Sequence, residues 1–337
     1  MADRLECAGC VHAMGGDCGH TLPMPQTEMS VCPIGRFSTG SRMAVLSCHF
    51  NPCGYSKPVQ NFQRFREELC VPKGTIVRVA ELSYDGSFDV ATEDSDLRIE
   101  GDPLRHGLWQ KERLLNLAAR SLPPEVDRIA WVDGDVIFDN PDWFEQAAVL
   151  LDHVPAVQLF DTAFWEGEGG RTRPSIGAGS LLGHQTHVTQ FHPGYAWAAH
   201  RRAFPACWSV EGGGLYDRAP LGAGDSLMAF AWLDELERGG MFPQLAHREQ
   251  QYVRNWASRV PRIRIGCVPG SVRHMWHGSR ANRRYTERHA TLRDCGYDPY
   301  LHIEPCPETG LLRWTVNAPE ELMRFARELF ALRREDG

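Results

Sequence analysis

The stretch RIAWVDGDVIF, residues 128–138, closes an apolar run with two carboxylates around one glycine, Asp133 and Asp135. On an extended chain side chains alternate with period two, so these acids would point the same way. Like charges that close repel each other and resist burial. A divalent cation relieves both costs, and magnesium or manganese, which prefer oxygen ligands and share them with diphosphates, suits the pair. The alternative is a surface turn, since Asp and Gly are ordinary turn residues. RHMWHG supplies further donors: His274 and His277 are three apart, and a neutral imidazole can complete a coordination sphere begun by carboxylates. His277 is the favoured ligand, with His274 as an alternative or a supporting group behind it; a core histidine beside Trp276 is the competing explanation. Arg280, Arg283 and Arg284 follow, placed to pin phosphate oxygens. GAGDS sets Asp225 after a Gly-rich approach and just before the helical pattern SLMAFAWL, where it can cap the helix, act as a catalytic carboxylate, or both. A last group is Cys7, Cys10, Cys18 and Cys32. The Cys-x2-Cys pair is a chelating start, and two further thiolates complete a tetrahedral set for structural zinc or, second, an iron–sulfur cluster; free cysteines in a flexible arm are the alternative.

These residues need elements to hold them. MAVLSCHF reads as a strand, SKPVQNFQRFREEL as a helix with Val59, Phe62, Phe65 and Leu69 at helical spacing, and TIVRVAEL as a second strand, together a β-α-β unit. LWQKERLLNLAARSL is an amphipathic helix and RIAWVDGDVIF a strand. NPDWFEQAAVLL is a helix capped by Asn140 with Pro141 at its first position, and AVQLF is another strand. Alternation of this kind predicts an α/β fold, a mostly parallel sheet flanked by helices, with ligands beyond the carboxyl ends of the strands. Both CHFNPCGY and DGD then fall on the ligand edge. Residues 160–290 are richer in Gly, His and Trp, a composition common in binding loops. HIEPCPETGLLRWTV reads as a hairpin, and the last helix, with Leu322, Phe325, Ala326, Leu329 and Phe330 in one stripe, as a packing element.

With 337 residues, 42% hydrophobic and 10% aromatic, the chain can bury one large core or two modest ones and is not of disordered composition. MADRLECAGC has no apolar signal core, and no run approaches the roughly 18 apolar residues of a membrane span, so a soluble, cytoplasmic protein without a membrane partner is expected. Eleven cysteines, seven of them before residue 71, favour metal binding or free thiols over a secreted disulfide framework. The net charge of −7 conceals a segment, 251–293, with ten arginines, no lysine and one acid, Glu287. Arginine without lysine suits forked recognition of phosphate; a solvated face is the alternative.

The set WVDGDVIF, HPGYAWAAHR, GGGLYDRAPLGAGDS and HMWHGS resembles the GT-A glycosyltransferases, and the layout from LWQKERLLN to FALRREDG resembles glycosyltransferase-like proteins of bacteriophages. The resemblance spans about residues 43–337 and departs from the galactosyltransferase branch in lacking its fuller acidic run after Asp225. It implies a Rossmann-like GT-A domain over 43–295, split into a nucleotide-sugar half, 43–160, and an acceptor half, 161–295. A Cys-rich metal-binding appendage, 1–42, would precede it, and a hairpin and helix, 296–337, would pack on it. By the same resemblance Asp133, Asp135 and His277 hold manganese or magnesium against the diphosphate of a nucleotide sugar such as a UDP-sugar. Phe50 and Asn51 meet the nucleobase, Lys111, Arg280 and Arg283 help bind the donor, and Asp225 is the acceptor-side carboxylate. The arginines and the phage-like layout point to one acceptor, the hydroxyl of a hydroxymethylated pyrimidine in phage DNA, in which case the location is host-cell cytoplasm. The base would be flipped out of the duplex, with Tyr195, Trp197, Trp276 and Arg284 on the acceptor. A glycan or protein acceptor is the first alternative. A nucleic-acid-binding module and a nucleotidyltransferase are others.

Overall fold

The structure, a computed structural model, describes residues 42–92, 96–170, 172–177, 191–204, 213–238, 241–260 and 263–337. Cys7, Cys10, Cys18 and Cys32, and with them the expected appendage, lie outside the described residues. The elements run β1 (Arg42–Phe50), α1 (Ser56–Glu68), β2 (Val77–Ser83), β3 (Leu97–Glu100), α2 (Lys111–Arg120), β4 (Val126–Val132), β5 (Val136–Phe138), α3 (Trp143–Leu150) and β6 (Ala156–Gln158). They continue with β7 (Thr162–Glu166), β8 (Thr172–Gly177), β9 (Phe191–His192), β10 (Ala196–His200), α4 (Gly224–Trp232), α5 (His247–Ala257), β11 (Ile265–Cys267) and β12 (Ser271–His274). Last come α6 (Tyr285–Asp294), the hairpin β13 (Ile303–Pro305) and β14 (Leu312–Trp314), and α7 (Glu320–Leu332).

The main sheet has the order β11-β6-β10-β4-β1-β2-β3, and helices cover it. All its neighbours are parallel except β10, which runs antiparallel to both β4 and β6. The expected mostly parallel α/β sheet is therefore present. Its strands are apolar runs and not alternating ones because both faces are covered. Ala44 and Leu46 of β1, with Ile129 and Trp131 of β4, pack on Leu114, Leu115 and Ala118 of α2. Val45, Ala130 and Val132 face the other layer, with Phe62 and Phe65 of α1 and Trp143 of α3. Chain order reverses between β1 and β4, so the connections leaving their carboxyl ends run to opposite sides and leave a crevice, the place where such sheets bind ligands.

The strand expected over 128–138 is two strands in two sheets. β4 ends at Val132, residues 133–135 turn, and β5 pairs antiparallel with β12 in a second sheet of order β5-β12-β7-β8-β9. The two acids thus sit on a corner and not on a continuous extended run. Packing explains the glycine between them: a Cβ on Gly134 would lie 2.5 Å from the Phe62 ring of α1. Asn140 is also displaced from its expected role. Helix α3 starts at Trp143, and Asn140 Oδ1 accepts from Asp142 N (3.0 Å) in the turn before it.

Candidate active site

A cavity of about 690 Å³ opens over the β1/β4 crevice. Cys48, His49 and Phe50 at the end of β1 form one wall and Asp133 to Asp135 another, as the ligand-edge argument requires. The corner after β4 aims Asp133 and Asp135 at different partners. Asp133 stays with the main sheet, its N–H donating to Tyr195 O at 2.8 Å. Lys111 Nζ, from the first turn of α2, lies 2.6 Å from Asp133 Oδ1 and donates to Oδ2 at 2.8 Å. Burial raises the Asp133 carboxyl above its ordinary value, Lys111 pulls it back, and Asp135 pushes it up again.

Asp135 belongs to the second sheet. The β5/β12 register sets Val136 opposite His274, and Met275 N donates to Asp135 O (2.8 Å), which brings the carboxylate beside both histidines. Asp135 Oδ2 is 2.8 Å from His277 Nε2 and 3.4 Å from His274 Nε2, and the two Nε2 atoms are 3.3 Å apart. One donor atom from each of the three residues falls within 4.8 Å of the others. Burial opposes the charge on Asp135, yet His274 and His277 hold its carboxyl well below the usual range, whereas burial lowers His274.

Whether these residues fit a cation is answered by what lacks a partner. Asp135 Oδ1 is buried with no hydrogen-bond partner, and two imidazole nitrogens converge on the same carboxylate. An oxygen and two nitrogens suit manganese well, and the unpaired oxygen marks an unmet demand for positive charge. His277 is oriented from behind, as its Nδ1 faces Glu335 Oε1 at 2.9 Å. A proton on Nδ1 would leave the Nε2 lone pair facing Asp135, His274 and the Arg283 NH2 group. His274 therefore joins His277 at this centre, and Asp133 is held apart on Lys111.

The remaining expected residues divide between the cavity and the rest of the fold. Asp225 lines the cavity from the first turn of α4. It is not the cap: Ala223, at φ +87°, holds that position, and Asp225 Oδ1 accepts from Ser226 N at 2.7 Å. A Cβ on Gly194 would come within 2.5 Å of Asp225 Oδ2, so that glycine leaves the carboxylate its place. Tyr195 lines the cavity at φ +74°, stacked on His192 at 3.7 Å and on His274 at 4.9 Å between ring centroids. Positive φ in two non-glycine residues at one cavity is strain of the kind that gathers at functional sites. Arg280 lies over the Trp165 ring (5.4 Å), and buried Arg283 sets its NH2 group 2.8 Å from His277 Nε2. Burial, with Arg333 beside it, pushes the Arg283 guanidinium down to about 10.

Asn51, Trp197, Trp276 and Arg284 do not line the cavity. Asn51 Nδ2 donates to Tyr55 O and Asp89, closing its own loop. Trp197 is a core residue of β10, 1% exposed, its indole N–H on Pro193 O. Trp276 offers its carbonyl to Asn61, and Arg284 pairs with Glu287 on another face.

Several cavity residues carry no mark in the sequence. Glu112, the neighbour of Lys111, is raised to about 8 by burial, with Lys111 opposing and Asp225 adding to the shift. Burial, then the charge on His274, lowers His192 to about 3. The helix read as packing is half so. Leu322, Ala326 and Leu329 bury as expected, but Phe330, Arg333 and Glu335 reach the cavity. Asp336 anchors this segment by accepting from Ser56 N and Lys57 N at the start of α1. The only signal for Glu335 was an acid after two arginines in LRREDG, too common a pattern to single out.

No protein-family model matches the chain, and no curated protein matches it. Among solved structures it is similar to glucosyl-3-phosphoglycerate synthase from Mycobacterium tuberculosis in complex with Mn2+, UDP and glucosyl-3-phosphoglycerate. That match has 13% identity, 79% of this chain and 84% of that one covered, and a TM-score of 0.38. A Drosophila β1,4-galactosyltransferase 7 in complex with manganese, UDP-Gal and xylobiose shares 10% identity over 80% of this chain and 92% of its own, with a TM-score of 0.35. A glycosyltransferase involved in glycosylation of the major capsid of PBCV-1 shares 15% over 73% and 98%, with a TM-score of 0.29. The likeness is loose and concerns layout, so the chemistry must rest on the side chains of this chain.

Proposed function

We propose that the chain is a metal-dependent glycosyltransferase that moves a sugar from a nucleoside-diphosphate sugar, a UDP-sugar in the first instance, to an acceptor hydroxyl. The observation that carries this reading is the convergence of Asp135, His274 and His277 at the carboxyl end of β4, inside a cavity of nucleotide-sugar size. Manganese or magnesium held there would supply positive charge for the departing diphosphate. The chain's own residues do the rest. Arg280 and Arg283 add fixed cations beside the centre, Lys111 holds Asp133 in place, and Phe50 forms the wall at the end of β1. Asp225, on the far side of Tyr195 in sequence but in the same cavity, is the carboxylate available to take the acceptor's proton.

The acceptor reading shifts once the arginines are placed. Arg254 pairs with Glu237, Arg273 with Asp139, Arg284 with Glu287 and Arg293 with Asp294, while Arg283 and Arg288 are buried. Four of the segment's ten arginines are thus tied to acids and two are buried, which leaves fewer of them for a DNA backbone and favours a glycan or protein hydroxyl. The test is a donor screen with Mn2+ that follows nucleoside diphosphate release, with glycans, peptides, and unmodified and hydroxymethylcytosine DNA as acceptors. Release from one donor, lost in Asp135→Asn, is expected. Pyrophosphate as product would make the chain a nucleotidyltransferase, and no release from any donor would reject the reading.

A further inference from the structure

Part of the cavity wall, built by α6, the turn after α7 and the loop before α4, sets Arg288 and Arg333 together, and among the described residues no carboxylate forms an ion pair with Arg288. Arg288 of α6 is 5% exposed and lines the cavity. Its NH1 donates to Leu221 O (3.1 Å), but its Nε and NH2 are buried with no partner among the described residues. Its guanidinium carbon lies 5.9 Å from the Trp109 ring centroid and 5.2 Å from that of Tyr285, and the Arg333 guanidinium covers the same Trp109 ring at 5.2 Å. Two carboxylates of the cavity come near, Asp225, whose charge acts on Arg288, and Glu335. Glu335 Oε1 accepts from Arg333 Nε at 2.8 Å, lies 3.9 Å from Arg283 and also faces His277, so it is fully committed.

A buried cation with two idle donors is unfavourable unless something offsets its lost hydration, and an indole face offsets only part. Nε and NH2 form the parallel edge of a guanidinium, the fork that grips two oxygens of one phosphoryl or carboxylate group. The backbone leaves room beside the guanidinium, at NH1. Gly222 sits at φ +89°, and a Cβ there would approach Arg288 NH1 at 3.3 Å and the Trp109 ring at 3.5 Å. Ala223, next in the chain, holds the strained φ already noted.

We infer that Arg288, with Arg333 beside it on the Trp109 face, forms an oxyanion subsite that takes a phosphoryl group inside the cavity. The subsite rests on the glycosyltransferase reading only for where that group comes from: the diphosphate of the donor, or a phosphate carried by the acceptor. The fork supplies two hydrogen bonds and a charge beside that of Arg333, so Arg288→Met loses the fork with its charge, and Arg288→Lys keeps the charge without the fork.

The full chain and both variants are titrated calorimetrically with inorganic phosphate, with UDP plus Mn2+, and with phosphate after saturation by UDP plus Mn2+. Arg288→Lys covers the case in which Arg288→Met does not fold. At least one of these affinities is expected to fall by about tenfold or more in Arg288→Met and by less in Arg288→Lys. If phosphate competes with UDP and the UDP affinity falls, the subsite serves the donor. If phosphate binds on top of UDP and only its affinity falls, the subsite serves a phosphorylated acceptor. Phosphate and UDP affinities within twofold of wild type in the folded variants, or no binding of either by wild type, would overturn the inference. Phosphate binding that depends on Arg288 in a protein that turns over no nucleotide sugar would keep the subsite and remove the glycosyltransferase reading.

Discussion

Glu335→Gln tests how the candidate metal centre is held. The wild-type carboxylate lies 2.9 Å from His277 Nδ1, and a proton held between them would leave the Nε2 lone pair facing the centre. It also accepts from Arg333 Nε at 2.8 Å. Burial opposes its ionisation, yet Arg333 and the His277 bond hold it down to about 2, so it is a full charge at neutral pH. An amide keeps the shape and removes the charge. It can also turn its NH2 toward Nδ1, which would move the lone pair to the wrong side of the ring. Loss of a carboxylate behind a ligand histidine typically weakens metal binding by about 10- to 100-fold, or roughly 1.4–2.7 kcal/mol. The assay is Mn2+ titration followed by the paramagnetic resonance of free Mn2+, with circular dichroism to confirm folding and His277→Ala as the more severe control. Glu335→Ala, which strands Arg333 and Arg283, should in addition cost about 3 kcal/mol of stability. Mn2+ affinity in Glu335→Gln equal to wild type, with His277→Ala impaired, would refute the reasoning.

Other substitutions probe separate links. Gly134→Ala drives a methyl into the Phe62 ring, 2.5 Å away, and should cost about 1–3 kcal/mol in chemical denaturation while displacing both acids; unchanged stability would mean that the corner is free to move. Lys111→Met removes the cation from Asp133 and should destabilise by about 2 kcal/mol, read as a lower melting temperature. Glu249 on α5 is 1% exposed with Oε2 unpartnered, and burial raises its carboxyl to about 8. Between the unfolded value near 4.5 and about 8 the native state holds a proton that the unfolded chain has lost, so stability falls as pH rises through that window. Glu249→Gln should match wild type at the acid end and be more stable by about 3 kcal/mol at pH 7, checked by melting curves across pH.

The parallel half of the sheet was legible because its strands are apolar runs of ordinary length and its helices keep helical spacing. Strands β1 and β2 and helices α1, α2 and α3 lie within a few residues of their expected bounds, whereas β3 had no counterpart in the sequence reading. The corner at Gly134 was not legible, since a strand that changes sheets keeps its apolar pattern on both sides. Asp135 with His277 could be anticipated from residue type, because carboxylate and imidazole are rarely spent together without reason. Their geometry with His274 depends on the β5/β12 register, which spans 138 residues of chain between Val136 and His274. Trp197 misled by its composition-rich surroundings: AWAAH is buried throughout between β4 and β6, where its indole belongs to the core. Arg288 and Glu335 were invisible for the opposite reason, being ordinary charges on ordinary-looking helical sequence until folding removes their water.

The most direct measurement is anomalous diffraction at the manganese edge from crystals grown with Mn2+ and UDP. One peak within bonding distance of Asp135 Oδ, His274 Nε2 and His277 Nε2, bridged to the UDP phosphates, is the expected result. Manganese and UDP bound elsewhere, or UDP bound in the cavity with no metal at those three atoms, would contradict it.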